Sequence, residues 1–321
     1  MKSLKIIFFG SSNYSIPTLS VLVKAGYPIQ AVVTLPERKG GRGQEVLPNP
    51  VREWAEAHKI KAFQQEKMAD SSFQETLKTL SPDLFIVVSF GKFLPPSLLQ
   101  IPKLYVLNIH PSLLPKFRGP SPVAWAMLEG DQTTGVTIIR VNERIDAGDI
   151  LLKEEYPIAE TEDIQTLSER LFQKGAELLL KGMTLIEEGR ATFTPQDEKK
   201  TTYAPRLKKS DGDVDWSQES RRIARQIRAF KGWPGSFTFY QGKRLILWKA
   251  HPSQASSHKR PGQILDCIQG RGILVSTGDG ALLIQELQLE GKEKMEADRF
   301  LAGHPLAVGE TFSMSAPLKE S

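Results

Sequence analysis

The chain has 321 residues, 42 Lys and Arg against 37 Asp and Glu, and a single cysteine. This length suits two domains better than one or three. One cysteine excludes an intrachain disulfide and any zinc site built from several cysteines. No apolar stretch approaches the roughly 20 residues of a membrane helix, and the apolar run near Met1 is too short for a signal peptide. We therefore expect a cytoplasmic protein with no membrane partner.

The net charge of +5 is unevenly distributed along the chain. Residues 1–203 hold 24 basic and 24 acidic side chains, whereas residues 204–321 hold 18 and 13. A positive excess confined to the last third is typical of a protein with an anionic partner, and equally of an ordinary soluble surface.

The first half of the chain has the pattern of a parallel sheet covered by helices. Apolar runs at 4–9 and 29–35 flank a helix-compatible segment, and further strands are predicted at 83–89, 105–109 and 136–141. This β–α–β order predicts a Rossmann-like α/β domain. Gly10 is followed by Ser-Ser-Asn and lacks the other glycines of a dinucleotide fingerprint, which disfavours a nicotinamide enzyme.

The second half predicts a different kind of domain. A helix is predicted over 218–230, with Ile223 and Ile227 on one face and Arg221, Arg225 and Arg228 on the other. Short strands with glycine turns follow and predict a small OB-like β-barrel. We expect domains at 1–190 and 209–315, joined by a polar, proline-containing linker at 191–208.

Three polar residues form the candidate site. Asn108 and His110 stand two apart at the end of a predicted strand, so their side chains share one face. Asp146 follows the next strand and could orient the ring of His110 for acid–base chemistry. Each also has a structural interpretation, because a histidine at a strand end is often a surface or capping residue and Asp before Ala-Gly is a common turn former.

A longer motif resembles a known family. His-Pro-Ser-Leu-Leu-Pro-Lys-Phe-Arg-Gly at 110–119, followed by Arg-Ile-Asp-Ala-Gly-Asp-Ile-Leu at 144–151, resembles the signature of the 10-formyltetrahydrofolate-dependent formyltransferases. The resemblance extends over almost the whole chain, with further matching stretches at 6–10, 36–50, 88–91, 202–204, 215–216 and 228–234.

The resemblance implies roles for these residues. Asn108, His110 and Asp146 correspond to the family's catalytic trio, which would stabilise an oxyanion and move protons without a metal. The formyl donor implied is 10-formyltetrahydrofolate. The positions that match the folate-contacting segments are Phe90, Gly91, Leu94, Ser112, Leu113, Leu114, Pro115, Asn142, Glu143 and Arg144.

The stretches beyond residue 200 imply the acceptor, methionyl initiator tRNA. Arg42 matches a basic position that contacts the acceptor stem, in a glycine-rich loop that could equally be ordinary surface. Residues 206–260 hold 13 basic against 4 acidic side chains, a balance suited to phosphate contacts. The tRNA-binding residues expected are Arg38, Lys39, Arg42, Lys208, Lys209, Arg222 and Arg225. We expect a monomer with no obligate protein partner.

Three other functions are compatible with parts of the sequence. A formyltransferase that acts on an amino sugar nucleotide or a ribosylglycinamide phosphate would share the trio, but would have no need of a basic second domain. An inactive RNA-binding protein predicts a degenerate trio. A hydrolase that releases formate from the same folate would use water in place of the amine.

Overall fold

The fold comes from a computed structural model, which describes residues 3–40 and 45–314. The chain forms two compact units. The first contains the residues up to Pro122, Thr133–Pro157 and Thr166–Pro205; the second contains Val123–Gln132, Ile158–Gln165 and the residues from Arg206 on. Two short segments from the first half of the sequence thus belong to the second unit. The predicted domain boundaries at 190 and 209 stay a prediction.

The first unit is built on a seven-stranded sheet, in the order β5-β2-β1-β6-β7-β8-β9. The strands are β1 (Ile6–Gly10), β2 (Ile29–Thr34), β5 (Ala62–Gln64), β6 (Leu84–Val88), β7 (Tyr105–His110), β8 (Thr133–Arg140) and β9 (Ile150–Pro157). The five strands from β5 to β7 are parallel, which confirms the predicted Rossmann-like core. Strands β8 and β9 are antiparallel to their neighbours, so the sheet is mixed.

The central strands are apolar because both faces of the sheet are covered. All five residues of β1 are buried, and β6 is nearly so, as expected for parallel strands between helices. The helices of this region are α1 (Ile16–Lys24), α2 (Pro50–Ala57), α3 (Ser71–Thr79), α4 (Pro96–Leu99), α5 (Pro122–Glu129) and α6 (Ile164–Glu187). A separate two-stranded ladder pairs β3 (Arg38–Gly40) with β4 (Glu45–Leu47).

Local sequence explains where several of these helices begin. Asn49 caps α2 by accepting hydrogen bonds from the backbone N–H groups of Val51 and Arg52, and Pro50 occupies the first turn, where a missing N–H costs nothing. Asp70 caps α3 in the same way. On α6, Gly175 allows close approach to the sheet, because a Cβ there would lie 2.5 Å from Cγ2 of Ile109.

The second unit is built on an antiparallel sheet, and its helices include α5 after Pro122. Its strands follow the order β10-β11-β14-β13-β12, with β15 paired to β14. The elements are α7 (Ser220–Ala229), β10 (Ser236–Tyr240), β11 (Lys243–Ser253), β12 (Ile264–Ile268), β13 (Gly272–Ser276), β14 (Ala281–Leu289), β15 (Met295–Glu296) and α8 (Ala297–Gly303). The apolar face of α7 is buried as predicted, with Ile223 fully inaccessible.

The end of the described chain joins the two edges of this sheet. Ser313 pairs with Phe239 of edge strand β10, and Thr311 pairs with Gln263, next to edge strand β12. Phe312, between them, is buried in the core. These two bridges link residues 311–313 to both edges of the sheet, and the predicted second domain of short strands is confirmed as an antiparallel sheet. In the described part of the chain, no helix is both long and apolar enough to span a bilayer.

Candidate active site

Asn108 and His110 lie on β7, an interior strand between β6 and β8. Asn108 pairs with Val87 of β6 on one side and with Ile139 of β8 on the other. His110 is buried, with 4% of its surface exposed, whereas Asn108 is partly exposed. Within residues 3–40 and 45–314, the Asn108 side-chain amide hydrogen-bonds no other residue. That amide is therefore free to donate to a ligand.

One nitrogen of the His110 imidazole is hydrogen-bonded to the backbone, and the other faces a carboxylate. Nε2 lies 2.9 Å from the carbonyl oxygen of Phe117. Since a carbonyl can only accept, Nε2 carries a proton and donates it. Nδ1 lies 3.6 Å from Oδ2 of Asp146, which is too long for a hydrogen bond but close enough for strong electrostatic attraction when the ring is charged. Proton exchange at this ring is thus restricted to Nδ1.

Asp146 reaches His110 because the loop after β8 runs back along β7. The backbone N–H of Val141 donates to the carbonyl of Val106, at the start of β7. Five residues later, the Asp146 carboxylate is beside His110, at the other end of that strand. Asp146 adopts a positive φ of 50°, and its Oδ2 accepts a hydrogen bond of 2.9 Å from the N–H of Gly119.

The segment 112–115, expected to contact folate, is anchored to β8 by one hydroxyl. Oγ1 of Thr137 donates to the carbonyl of Ser112 at 2.7 Å and accepts from the N–H of Leu114 at 3.1 Å. The Ser112 hydroxyl is buried and donates to the carbonyl of Lys116. Ser112 and Leu114 thus support the segment, while the side chains of Leu113 and Pro115 remain partly exposed.

The other expected folate segments differ in exposure. Phe90 and Leu94 are buried in a hydrophobic cluster, and Gly91 between them turns the chain with a φ of 78°. Phe93 lies within the same expected segment, 90–94, and is 54% exposed, which distinguishes it from the buried Phe90 and Leu94. The three remaining residues, Asn142, Glu143 and Arg144, are exposed on the loop that carries Asp146.

Two residues that sequence reasoning missed contact the Asp146 loop or its surroundings. Arg118 is 1% exposed and ion-pairs with Glu198. Gln196 donates hydrogen bonds to backbone carbonyls of the Asp146 loop. Arg118 lies inside the motif at 110–119, but nothing local indicates its partner 80 residues away. Within the described ranges, no group of three His, Cys, Asp or Glu side chains is arranged to hold a metal.

The basic residues expected to bind tRNA fall into two sets. Arg38 and Lys39 belong to strand β3, and Arg42 lies outside the described residues. Lys208 and Lys209 are exposed at a short 3-10 helix in the second unit. The ammonium groups of these two lysines are accessible to a polyanion.

The arginines of α7 contact their own chain. Arg222 lies 4.0 Å from Glu129, and the guanidinium of Arg225 packs on Gly130, where a Cβ would come within 2.6 Å of it. Arg228 donates to the carbonyl of Glu162 at 3.0 Å, and burial lowers the pKa of this guanidinium. Much of this basic face is therefore in contact with the segments 123–132 and 158–165.

Comparison with known proteins follows the same division of the chain. The sequence profile described as formyl transferase matches residues 4–183, and the profile described as formyl transferase, C-terminal domain, matches residues 206–305. The chain belongs to the formyl transferase family. The first profile spans the candidate active site, so Asn108, His110 and Asp146 lie inside the region that it matches.

Two relatives match this formyl transferase over nearly their whole length. The chain is 40% identical to the methionyl-tRNA formyltransferase of Syntrophus aciditrophicus over 309 residues, covering 96% of this chain and 99% of the relative. It is 43% identical to that of Geobacter sulfurreducens, covering 96% of each. In both cases the match includes the second unit as well as the first.

A solved structure shares the fold. HypX from Aquifex aeolicus, in complex with tetrahydrofolic acid, superposes with a TM-score of 0.64 at 19% identity and covers 97% of this chain. The chain spans about half the length of HypX, 51%. This likeness concerns the fold alone.

The two buried threonines of β8 give a matched test of how the segment 112–115 is held. Thr137→Val removes the hydroxyl that serves both Ser112 and Leu114 and leaves two backbone groups unpaired, so we expect a decrease of about 2–3 kcal/mol in the free energy of unfolding. Thr134 is 3% exposed, and its hydroxyl has no partner in the part of the chain that the structure describes. Thr134→Val should therefore be neutral or stabilising. Urea denaturation of both variants measures the difference, and equal destabilisation would contradict the anchoring role.

Proposed function

We propose that this protein transfers the formyl group of 10-formyltetrahydrofolate to the α-amino group of methionyl initiator tRNA, giving N-formylmethionyl-tRNA for translation initiation. The observation that carries the proposal is the near full-length match, through both units, to the methionyl-tRNA formyltransferases. The proximity of His110 to Asp146 adds chemical support.

Exposed apolar side chains of the expected folate segments would suit the donor. Leu113 and Pro115 offer partly exposed apolar area, and Phe93 offers an exposed aromatic ring, which together suit the flat ring system of a folate. Asn142, Glu143 and Arg144 would add polar contacts. The buried members of the proposed set, Phe90, Leu94, Ser112 and Leu114, would shape the pocket, and Gly91 would turn the chain between Phe90 and Leu94. Bound 10-formyltetrahydrofolate supplies the formyl group.

Asn108 and His110 would act on the charge that develops in acyl transfer. As the amine nitrogen bonds to the formyl carbon, negative charge builds on the formyl oxygen, and the unengaged Asn108 amide would donate to it. The bond from that carbon to the folate nitrogen then breaks. The attacking amine must lose a proton and the folate nitrogen must gain one. His110 Nδ1 is the ring position available for this exchange.

Asp146 would support that proton transfer. Its carboxylate lies 3.6 Å from Nδ1 and would stabilise positive charge on the ring while the proton is held there. Asp146 can also orient a water molecule that relays the proton. No covalent intermediate with the enzyme is required by this scheme.

A formylation assay tests the function directly. Purified protein is incubated with 10-formyltetrahydrofolate and methionyl initiator tRNA, with methionyl elongator tRNA, an amino sugar nucleotide and a ribosylglycinamide phosphate as comparison acceptors. We expect formylation of the initiator tRNA above all others. Preferential formylation of a small acceptor would refute the proposal, and so would formate release without any acceptor.

Substitution of the trio should impair turnover rather than binding. We expect Asn108→Ala, His110→Ala and Asp146→Ala each to lower kcat by about 10²–10⁴, with little change in the Kd for tRNA measured by filter binding. His58→Ala, an exposed histidine outside the site, serves as control and should retain activity. Near-normal turnover of His110→Ala would disprove its assigned role.

The tRNA-binding residues we propose are Arg38, Lys39 and Arg42 in the first unit, and Lys208, Lys209, Arg222 and Arg225 in the second. Lys208 and Lys209 are the exposed members of this set in the second unit. Arg222 and Arg225 contact residues 129–130. They would therefore contribute to tRNA binding partly by positioning that segment.

Neutralising Lys208 and Lys209 together should raise the KM for tRNA and flatten its salt dependence. Removal of one phosphate-binding cation lowers the slope of log K against log salt by about 0.7–0.9, so we expect the slope to change by about 1–2. The double substitution of Arg222 and Arg225 by Gln should act in the same direction. Lys59→Ala with Lys78→Ala, two exposed lysines of the first unit, is the control. An unchanged slope in the lysine variant would contradict this assignment.

A further inference from the structure

We propose that Gln196 is a positioning residue for the formyl transfer, which holds the backbone of the 142–149 loop so that the Asp146 carboxylate faces His110. This inference rests on the proposed function of the site. Gln196 lies in the polar stretch that the sequence predicts to be a linker, and neither the family motif nor the trio includes it.

The side-chain amide of Gln196 is bonded to both sides of Asp146. Its Nε2 donates to the carbonyl of Asp146 at 2.8 Å and to the carbonyl of Gly148 at 2.7 Å. Both amide protons are thereby used, so Gln196 has none to offer a substrate. Its influence on the reaction must pass through the loop.

Asp146 needs such support because its backbone is in an unfavourable conformation. A φ of 50° places a non-glycine residue in the left-handed region, which is uncommon for residues other than glycine and is adopted by Asp and Asn more often than by most. Gly148 adds a second constraint, since a Cβ there would lie 1.7 Å from the carbonyl oxygen of Arg140. The two hydrogen bonds from Gln196 therefore stabilise this tight turn on both sides of Ala147.

Arg118 fixes the orientation of the Gln196 amide. Its Nε donates to Oε1 of Gln196 at 3.0 Å. Because a guanidinium has only donors, Oε1 must face Arg118 and Nε2 must face the loop. The other two guanidinium nitrogens of Arg118 donate to Glu198, at 3.1 and 3.2 Å. A fully buried guanidinium is stable only with such partners.

Glu198 attaches the same loop at a second point. It also accepts from Nη2 of Arg144 at 3.1 Å, and hydrogen bonds from Arg118 and then Arg144 hold the pKa of Glu198 below its usual value. The segment 196–198 therefore holds the 142–149 loop at two points. Glu198 binds Arg144, and Gln196 binds the backbone carbonyl of Asp146. Gly119, next to Arg118, completes the arrangement by donating to the Asp146 carboxylate.

A double-mutant cycle separates positioning from a general loss of structure. We expect Gln196→Ala to lower kcat at least tenfold, with the KM for tRNA and for the folate unchanged within twofold. In an Asp146→Ala background, the same substitution should lower kcat by less than twofold, because Gln196 acts only through Asp146. Gln173→Ala, an exposed glutamine on α6, is the matched control and should leave kcat unchanged.

Hydrogen exchange gives a readout that does not depend on activity. Backbone amides of 142–149 should exchange faster in Gln196→Ala than in the wild type, while exchange in β1 and β6 stays the same. If Gln196→Ala does not fold, Gln196→Asn replaces it in both measurements, since the shorter amide cannot reach Arg118 and both carbonyls at once. Additive effects in the cycle, or unchanged exchange of the loop, would overturn the proposal. If the wild-type protein forms no N-formylmethionyl-tRNA, the proposed function fails, while the exchange data still test the anchoring.

Discussion

The antiparallel pairing of β8 with β7 is the constraint on which the candidate site depends. It sends the chain after β8 to the start of β7, whereas His110 is at the end of β7. The loop 142–149 must therefore run back along the strand before Asp146 can approach the imidazole. The close turn at Gly148, the positive φ of Asp146 and the bonds to Gln196 are all consequences of that return path.

The groups around the site are held by polar groups that are themselves buried. Thr137 serves two backbone groups of the 112–115 segment, and the carbonyl of Phe117 receives the Nε2 proton of His110. Such contacts are effective because an unpaired polar group in the interior is costly. The groups that remain available to a bound substrate are the Asn108 amide, Nδ1 of His110 and the Asp146 carboxylate.

The basic residues illustrate how one sequence feature can have two outcomes. Arg221, Arg225 and Arg228 predict a positive helix face, and the structure forms that helix over Ser220–Ala229. Yet Arg225 packs on Gly130 and Arg228 bonds to the carbonyl of Glu162. A helical pattern gives the direction of side chains but does not reveal which segment of the same chain will pack against them. Lys208 and Lys209, by contrast, are exposed as the sequence predicts for charged residues in a polar stretch.

The sequence by itself determined the local features: the parallel strands from their apolar runs, the buried face of α7, and the motif that holds Asn108, His110 and Asp146. These depend on periodicity and on neighbours within a few residues. Only the tertiary structure decided the direction of β8, the edge pairing by residues 311–313, and the support of Asp146 by Gln196 and Arg118. The edge pairing and the support of Asp146 join residues 48 or more positions apart. Their partners are chosen by geometry and by the need to satisfy buried polar groups, which no local pattern records.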